Sequence, residues 1–199
     1  MKIKQLAINA LNFSINKFIE ILGIGIVLIA ALLLISLISY SPNDPNFIFP
    51  DKIEIQNLLG PHGSFTADFL FQSFGLITFL LPFTLVFTGI NIILYKKIFL
   101  IIENFFFIIL YLSFGSLFFS QFYPNSFELY VYGNGGFIGN YLETTFLKSL
   151  INLNTIVSYY FFLLLILILF LISIEFKISK FSKLIKNIYS FFFYKKEKN

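Results

Sequence analysis

The fold class predicted by this sequence is an all-α, polytopic membrane protein with four transmembrane helices, cytoplasmic N and C termini and amphipathic terminal helices. Three observations predict it. Only 12% of the 199 residues are charged, against roughly 25% in an ordinary soluble domain. The mean hydropathy is +0.86, and a single soluble core leaves too much of its chain near water to hide that much apolar surface. Four apolar stretches each approach the roughly 20 residues that a helix needs to cross about 30 Å of hydrocarbon.

Residues 1–17 read as a cytoplasmic amphipathic segment. Ile3, Leu6, Ala7, Ala10 and Leu11 recur at helical spacing, with Lys2, Lys4, Asn9 and Asn12 elsewhere, the pattern of a short helix lying on a membrane surface. The apolar run that follows is too long for the core of a signal peptide, and no A-x-A cleavage pattern comes after it, so it is expected to stay in the mature protein. It opens a transmembrane domain over 18–175, with its first span at 21–39. Gly23, Gly25, Ala30, Ala31 and Ser36 are small enough to let another helix come close.

The outer loop 40–63 cannot prolong that helix, because Pro42, Pro45, Pro50 and Pro61 remove donors and bias the residues before them to extended backbone. Pro42 followed by Asn43 and Asp44 suits a turn, and IFPDKIEIQ (48–56) has room for a short strand. Ser64 to Leu94 makes about 31 residues, or roughly 46 Å of helix, more than one bilayer core requires, so part of it tilts, bends or protrudes. Ser64 is expected to cap this helix and Asp68 to sit in its second turn near the positive end of the dipole. Asp68 and Gln72 then share a face at the headgroup level. The second span is 74–94, with a kink expected at Pro82 near its middle.

Lys96 and Lys97 form a tight connection to the third span, 98–119, which Glu103 interrupts. A second outer loop, 120–155, breaks at Asn134, Gly135 and Gly136 and then carries 137–154, which lacks one clean apolar face and reads as an interfacial or re-entrant helix. The fourth span is 156–174. From 176 to 199 the chain reads as a basic juxtamembrane helix and tail, with Ile178, Phe181, Leu184, Ile185, Ile188 and Phe192 on one side and Lys180, Lys183 and Lys186 on the other. All 14 basic residues are Lys, and all but Lys52 and Lys148 fall on the terminal segments or the 96–97 turn. The positive-inside rule therefore places both termini in the cytoplasm.

Chemistry is constrained by what the chain lacks. With no Cys there is neither a disulfide nor a thiolate metal site. Gly never precedes Lys, so no P-loop forms. His62 stands alone in GPHG, without the nitrogen or sulfur partners of a transition-metal site. No catalytic residue, cofactor or metal ligand is assigned, since the spans carry no nucleophile–base or paired-carboxylate constellation. Glu103 is the one functional candidate inside a span. It is the sixth residue after Lys97, roughly 9 Å along a helix, and two readings stand: pairing with a Lys at the cytoplasmic interface, or a proton or ion relay in a small transporter or channel component. Gly135 and Gly139 make a small-xxx-small pair suited to close helix approach.

Three blocks carry a family resemblance: SYSPNDPNF (39–47), GPHGSFTADFLFQSFGLITFLLP (60–82) and GGFIGNYLETTFL (135–147). In order, spacing and topology they resemble the N-terminal four-span membrane domain of FtsK/SpoIIIE-type bacterial DNA translocases. The resemblance implies structural roles for Pro42, Asp44, Pro45, Gly60, Gly63, Asp68, Gly75, Pro82, Gly135, Gly136 and Gly139. It also implies an inner-membrane anchor at the division septum that holds a cytoplasmic hexameric motor and links division with chromosome segregation. The implied partners are the lipid bilayer, further copies of the chain in a homo-oligomer and other division-site membrane proteins. DNA is reached only through a motor domain. This chain stops at Asn199, just past the fourth span, so the expectation is an anchor without its motor: a fragment, a split gene product or a stand-alone anchor. Its Lys-rich terminal segment is expected to hold anionic lipid.

Overall fold

The computed structural model of the protein describes residues 2–45, 54–124 and 132–175. Among the described residues the regular structure is helical: α1 (Lys2–Ile38), α2 (Gly60–Phe74), α3 (Leu80–Tyr95), α4 (Leu100–Phe122), α5 (Gly136–Glu143), α6 (Phe146–Leu153) and α7 (Thr155–Ser173). A 3-10 helix, Gly75–Phe79, joins α2 to α3. Four helical stretches are long and apolar enough to cross a membrane, within α1, from α2 through α3, in α4 and in α7. The basic segment 176–199 and residues 48–53 of the expected short strand lie outside the described residues.

α1 is one unbroken helix. Residues 2–17 continue into the same helix as the first span, because neither Gly nor Pro interrupts the chain before Gly23. α1 packs along α3 and α4 along α7, giving two hairpins. In the first, a Cβ at Gly23 would lie 2.8 Å from the Gly89 carbonyl oxygen, and one at Gly89 would lie 2.7 Å from that of Gly23. The two backbones therefore touch, the close approach by which helices associate in lipid, where the hydrophobic effect gives no drive between them. Gly25, expected to share in that approach, has nothing within 4 Å of such a Cβ. At one end of this hairpin Ile19, Ile92 and Leu100 pack together. Beside them Glu20 pairs with Lys17 at 2.8 Å and with Lys96, whose left-handed backbone (φ 56°) ends α3. In the second hairpin, Tyr111, Leu112 and Phe118 of α4 share one core with Phe162, Ile166 and Leu169 of α7.

Between α2 and α3 the chain turns sharply. Eight residues of straight helix span roughly 12 Å, yet the rings of Phe71 and Phe79 are 5.3 Å apart and Thr78 Oγ1 donates to the Leu70 carbonyl at 3.1 Å. α2 thus folds beside the end of α1, where Leu37 packs with Ala67 and Phe71. The turn is made at Gly75 (φ 71°, ψ −150°), a conformation open essentially to Gly alone. This corrects the expected kink at Pro82. Pro82 is the third residue of α3, in the first turn, where a missing N–H costs little. The helix start also moves from Ser64 to Gly60, because Pro61 suits the first helical turn and leaves Ser64 inside the helix.

α7 begins where Asn154 Oδ1 accepts from Val157 N at 3.1 Å. The same Asn154 ends α6, so one residue separates the two helices.

Gly75→Ala is expected to lower stability by more than about 2 kcal/mol, from backbone strain and from a Cβ that would lie 1.9 Å from the Asn134 carbonyl oxygen. Gly25→Ala, with open space around it, is expected to be neutral or to stabilise by up to about 1 kcal/mol. Thermal unfolding of the two variants in one detergent checks both.

Candidate functional site

Most of the residues singled out by sequence, Glu103 and Pro82 apart, converge toward one end of the bundle, where the chain leaves α1, enters α2, leaves α4 and enters α7. They build two clasps. In the first, Asp44 is buried, and its carboxylate accepts from Gln56 N at 2.8 Å and Asn57 N at 2.9 Å. The loop is thereby folded back on itself. Asn57 in turn donates through Nδ2 to the Ser36 carbonyl at 2.9 Å, and Ser36 Oγ donates to the Gly63 carbonyl at 2.6 Å. A Cβ at Gly63 would lie 2.1 Å from Asn57 Oδ1, so only Gly lets α2 come this near. Ser64 donates to the Pro45 carbonyl at 3.0 Å, tying α2 to the turn after Pro42.

Asp68 is buried, and it shares a face with Gln72 as expected. With the helix beginning at Gly60 it lies well inside α2, and its Oδ1 accepts from the Tyr40 hydroxyl at 3.2 Å and Gln72 Nε2 at 3.4 Å. Burial, with the Asp68 carboxylate beside it, pushes the Tyr40 hydroxyl above its ordinary range and keeps it a donor.

The second clasp joins the bend in the second span to the loop before α5. Leu76 N, freed by the turn at Gly75, donates to the Asn134 carbonyl at 2.9 Å. Ser116 Oγ of α4 lies 2.8 Å from the Phe74 carbonyl and 2.7 Å from that of Leu112. Gly136 (φ 65°) presses on the same point, where a Cβ would lie 2.6 Å from Gly75 N. The Gly135 and Gly139 pair lies on α4, where added Cβ atoms would stand 2.6 Å and 2.3 Å from the Ser116 carbonyl oxygen. Residues 137–154 are two short helices, α5 and α6, with α5 seated against α4 and α2. Ser120 Oγ lies 2.7 Å from Glu143 Oε2 and 2.9 Å from Asn140 Oδ1, and Lys148 pairs with Glu143 at 2.8 Å. Desolvation acts to raise the Glu143 carboxyl, but the hydrogen bonds from Lys148 and Ser120 hold it below its ordinary value.

A third polar system was missed by sequence reasoning. Thr84, Thr88 and Asn91 stand at i, i+4 and i+7 on one buried face of α3. Thr84 Oγ1 is 3.1 Å from Tyr111 Oη and 3.3 Å from Ser173 Oγ. Asn104 donates to Thr88 Oγ1 at 2.7 Å, and Asn91 Nδ2 to the Ile174 carbonyl at 3.4 Å. This seam joins α3, α4 and α7. Its one sequence signal is the helical spacing of these polar residues within a span, which does not name their partners.

Glu103 lies outside all three systems, exposed in the first turn of α4, where a carboxylate is favoured by the helix dipole. His62 is also exposed, in the first turn of α2 rather than in a loop. Among the described residues, no group of three or more His, Cys, Asp and Glu could hold a metal ion.

Residues 16–186 match the family described as the 4TM region of DNA translocase FtsK/SpoIIIE. The chain belongs to this family. It is also similar to the DNA translocase FtsK of Rickettsia bellii (strain RML369-C), with 29% identity over 188 residues. That alignment takes in 92% of this chain and 23% of the relative, so the chain spans about a quarter of the length of that protein. No solved structure matches the chain. For this member of the FtsK/SpoIIIE four-span family, Asp44, Gly63, Asp68, Gly75, Gly135, Gly136 and Gly139 all fall within the two clasps, whereas Pro82 lies in the first turn of α3.

Two outcomes are expected. Thr84→Val, which keeps shape and removes the hydroxyl, should cost about 1 kcal/mol in detergent unfolding, and Thr84→Ser should restore most of it. The pH test concerns Glu143: its folded-state value is lowered, so its stabilisation is complete above the ordinary carboxylate range and lost as pH falls through the lowered value. The difference in melting temperature between the native chain and Glu143→Gln should therefore shrink on acidification.

Proposed function

We propose that this chain is the membrane-anchoring, septum-targeting domain of a DNA translocase that couples cell division to chromosome segregation. The observation that carries the reading is the family match over residues 16–186, on a bundle whose polar side chains are spent on holding helices and loops together. In this reading the protein sits in the bacterial inner membrane, with the lysine-rich end toward the cytoplasm. Its spans are available to further copies of the chain and to other division-site membrane proteins. DNA is handled by a motor domain of the kind that the relative's name denotes, joined beyond the fourth span.

The anchor works by rigidity. The clasps close the loop end of the two hairpins, and the polar seam ties the other end of α7, through Ser173 and Ile174, to α3. A pull arriving from the cytoplasmic side along residues that follow Ile174 is thus shared between hairpins instead of being borne by α7 alone. The exposed position of Glu103 in the first turn of α4, at the end that also carries Lys96 and Lys97, supports an interfacial role for it over an ion relay.

A fluorescent fusion is expected to concentrate at midcell in dividing cells, and an even distribution around the envelope would refute septum targeting. A tag placed after Asn199 is expected to resist protease added outside spheroplasts.

A further inference from the structure

We propose that the groove enclosed by α4, α6 and α7 is a seat for one phospholipid acyl chain. It has a volume of about 280 Å³ and is walled by Phe114, Leu147, Ile151, Phe161, Phe162 and Leu165. Its one polar side chain, Ser158, already donates its hydroxyl to the Ile151 carbonyl at 3.1 Å. Apart from that hydroxyl the lining is hydrocarbon, which gives water little to bond.

The occupant follows from where the groove opens and how it runs. Two of its lining residues, Leu150 and Phe161, are 52% and 58% exposed. Phe161 stands on a membrane-spanning helix beside Leu164 and Ile168, which are exposed as well. The groove is therefore continuous with the face that α7 presents to lipid, and hydrocarbon is the medium at its mouth. From Ser158 to Leu165 it follows α7 for about two turns, roughly 10 Å, along the direction that an acyl chain takes in the bilayer. At its loop end lies α6, whose Lys148, Ser149 and Asn152 are exposed where a headgroup would lie. The seat depends on the four-span fold and not on septal placement, so it stands or falls separately from the proposed function.

The absence of Trp from the sequence makes the test direct. Single-Trp variants Leu150→Trp, at the groove, and Leu164→Trp, on the open face of α7, are reconstituted with phospholipid brominated in its acyl chains and then exchanged into unlabelled detergent. The expected result is that both are quenched in the bilayer and that Leu150→Trp alone stays quenched after exchange. Adding Ser158→Leu, which narrows the groove, should cut the retained lipid roughly tenfold, the loss for about two methylenes left unseated. Native mass spectrometry of the Trp-free Ser158→Leu chain reads the same loss without the reporter. Three results would overturn the proposal: equal loss of quenching at both positions on exchange, which means bulk lipid only; quenching of Leu150→Trp by aqueous iodide; or protection from both quenchers, which means that a second copy of the chain covers the groove.

Discussion

In hydrocarbon every backbone polar group has to find its partner within the protein, and the hydrogen bonds around Gly75 show how this chain meets that demand at its weakest point. The turn between α2 and α3 interrupts the helical ladder. On one side of the break the Leu76 N–H is taken by the Asn134 carbonyl at 2.9 Å, and on the other the Phe74 carbonyl is reached by Ser116 Oγ at 2.8 Å. The first partner comes from the loop before α5 and the second from α4, so the broken span cannot be completed without the second hairpin. The small residues follow from this. Gly75, Gly135, Gly136 and Gly139 are what allow a loop backbone and two helices to meet at one point.

The same demand explains the other loop. Leaving α1, the chain must turn without carrying unpaired groups toward the membrane, and the Asp44 carboxylate takes two backbone N–H groups to fold the segment after it. Asp68 is stabilised differently. It has hydrogen bonds from Tyr40 and Gln72 in a buried setting, where an unpaired carboxylate would be costly. Both acids therefore serve as acceptors that shape the loop end.

Much of this was legible before the structure. Hydropathy located four spans, because the length of an apolar run reports the bilayer thickness directly, and the proline-rich stretch after Tyr40 marked a loop. The position of the bend was not legible. Pro82 and Gly75 are both breakers by local rules, and the choice between them rests on Asn134, nearly sixty residues away in sequence. Ser64 misled for a similar reason: capping preference favoured it, but Gly60 and Pro61 begin the helix and Ser64 bonds the Pro45 carbonyl instead. The Thr84, Thr88 and Asn91 seam went unseen because each residue alone is tolerated in a span, and only the shared face and the partners Tyr111, Asn104 and Ser173 give it meaning.

The joint at Asn154 couples the span α7 to the short helix α6. α7 is 19 residues, or roughly 28 Å of helix, close to the thickness of the hydrocarbon it crosses. A thicker or thinner patch of bilayer changes the tilt of such a helix at modest cost. With a single extended residue between them, and with Asn154 capping the start of α7, α6 has little freedom to stay behind when α7 leans. Any lean of α7 is therefore passed to α6 through that one-residue joint.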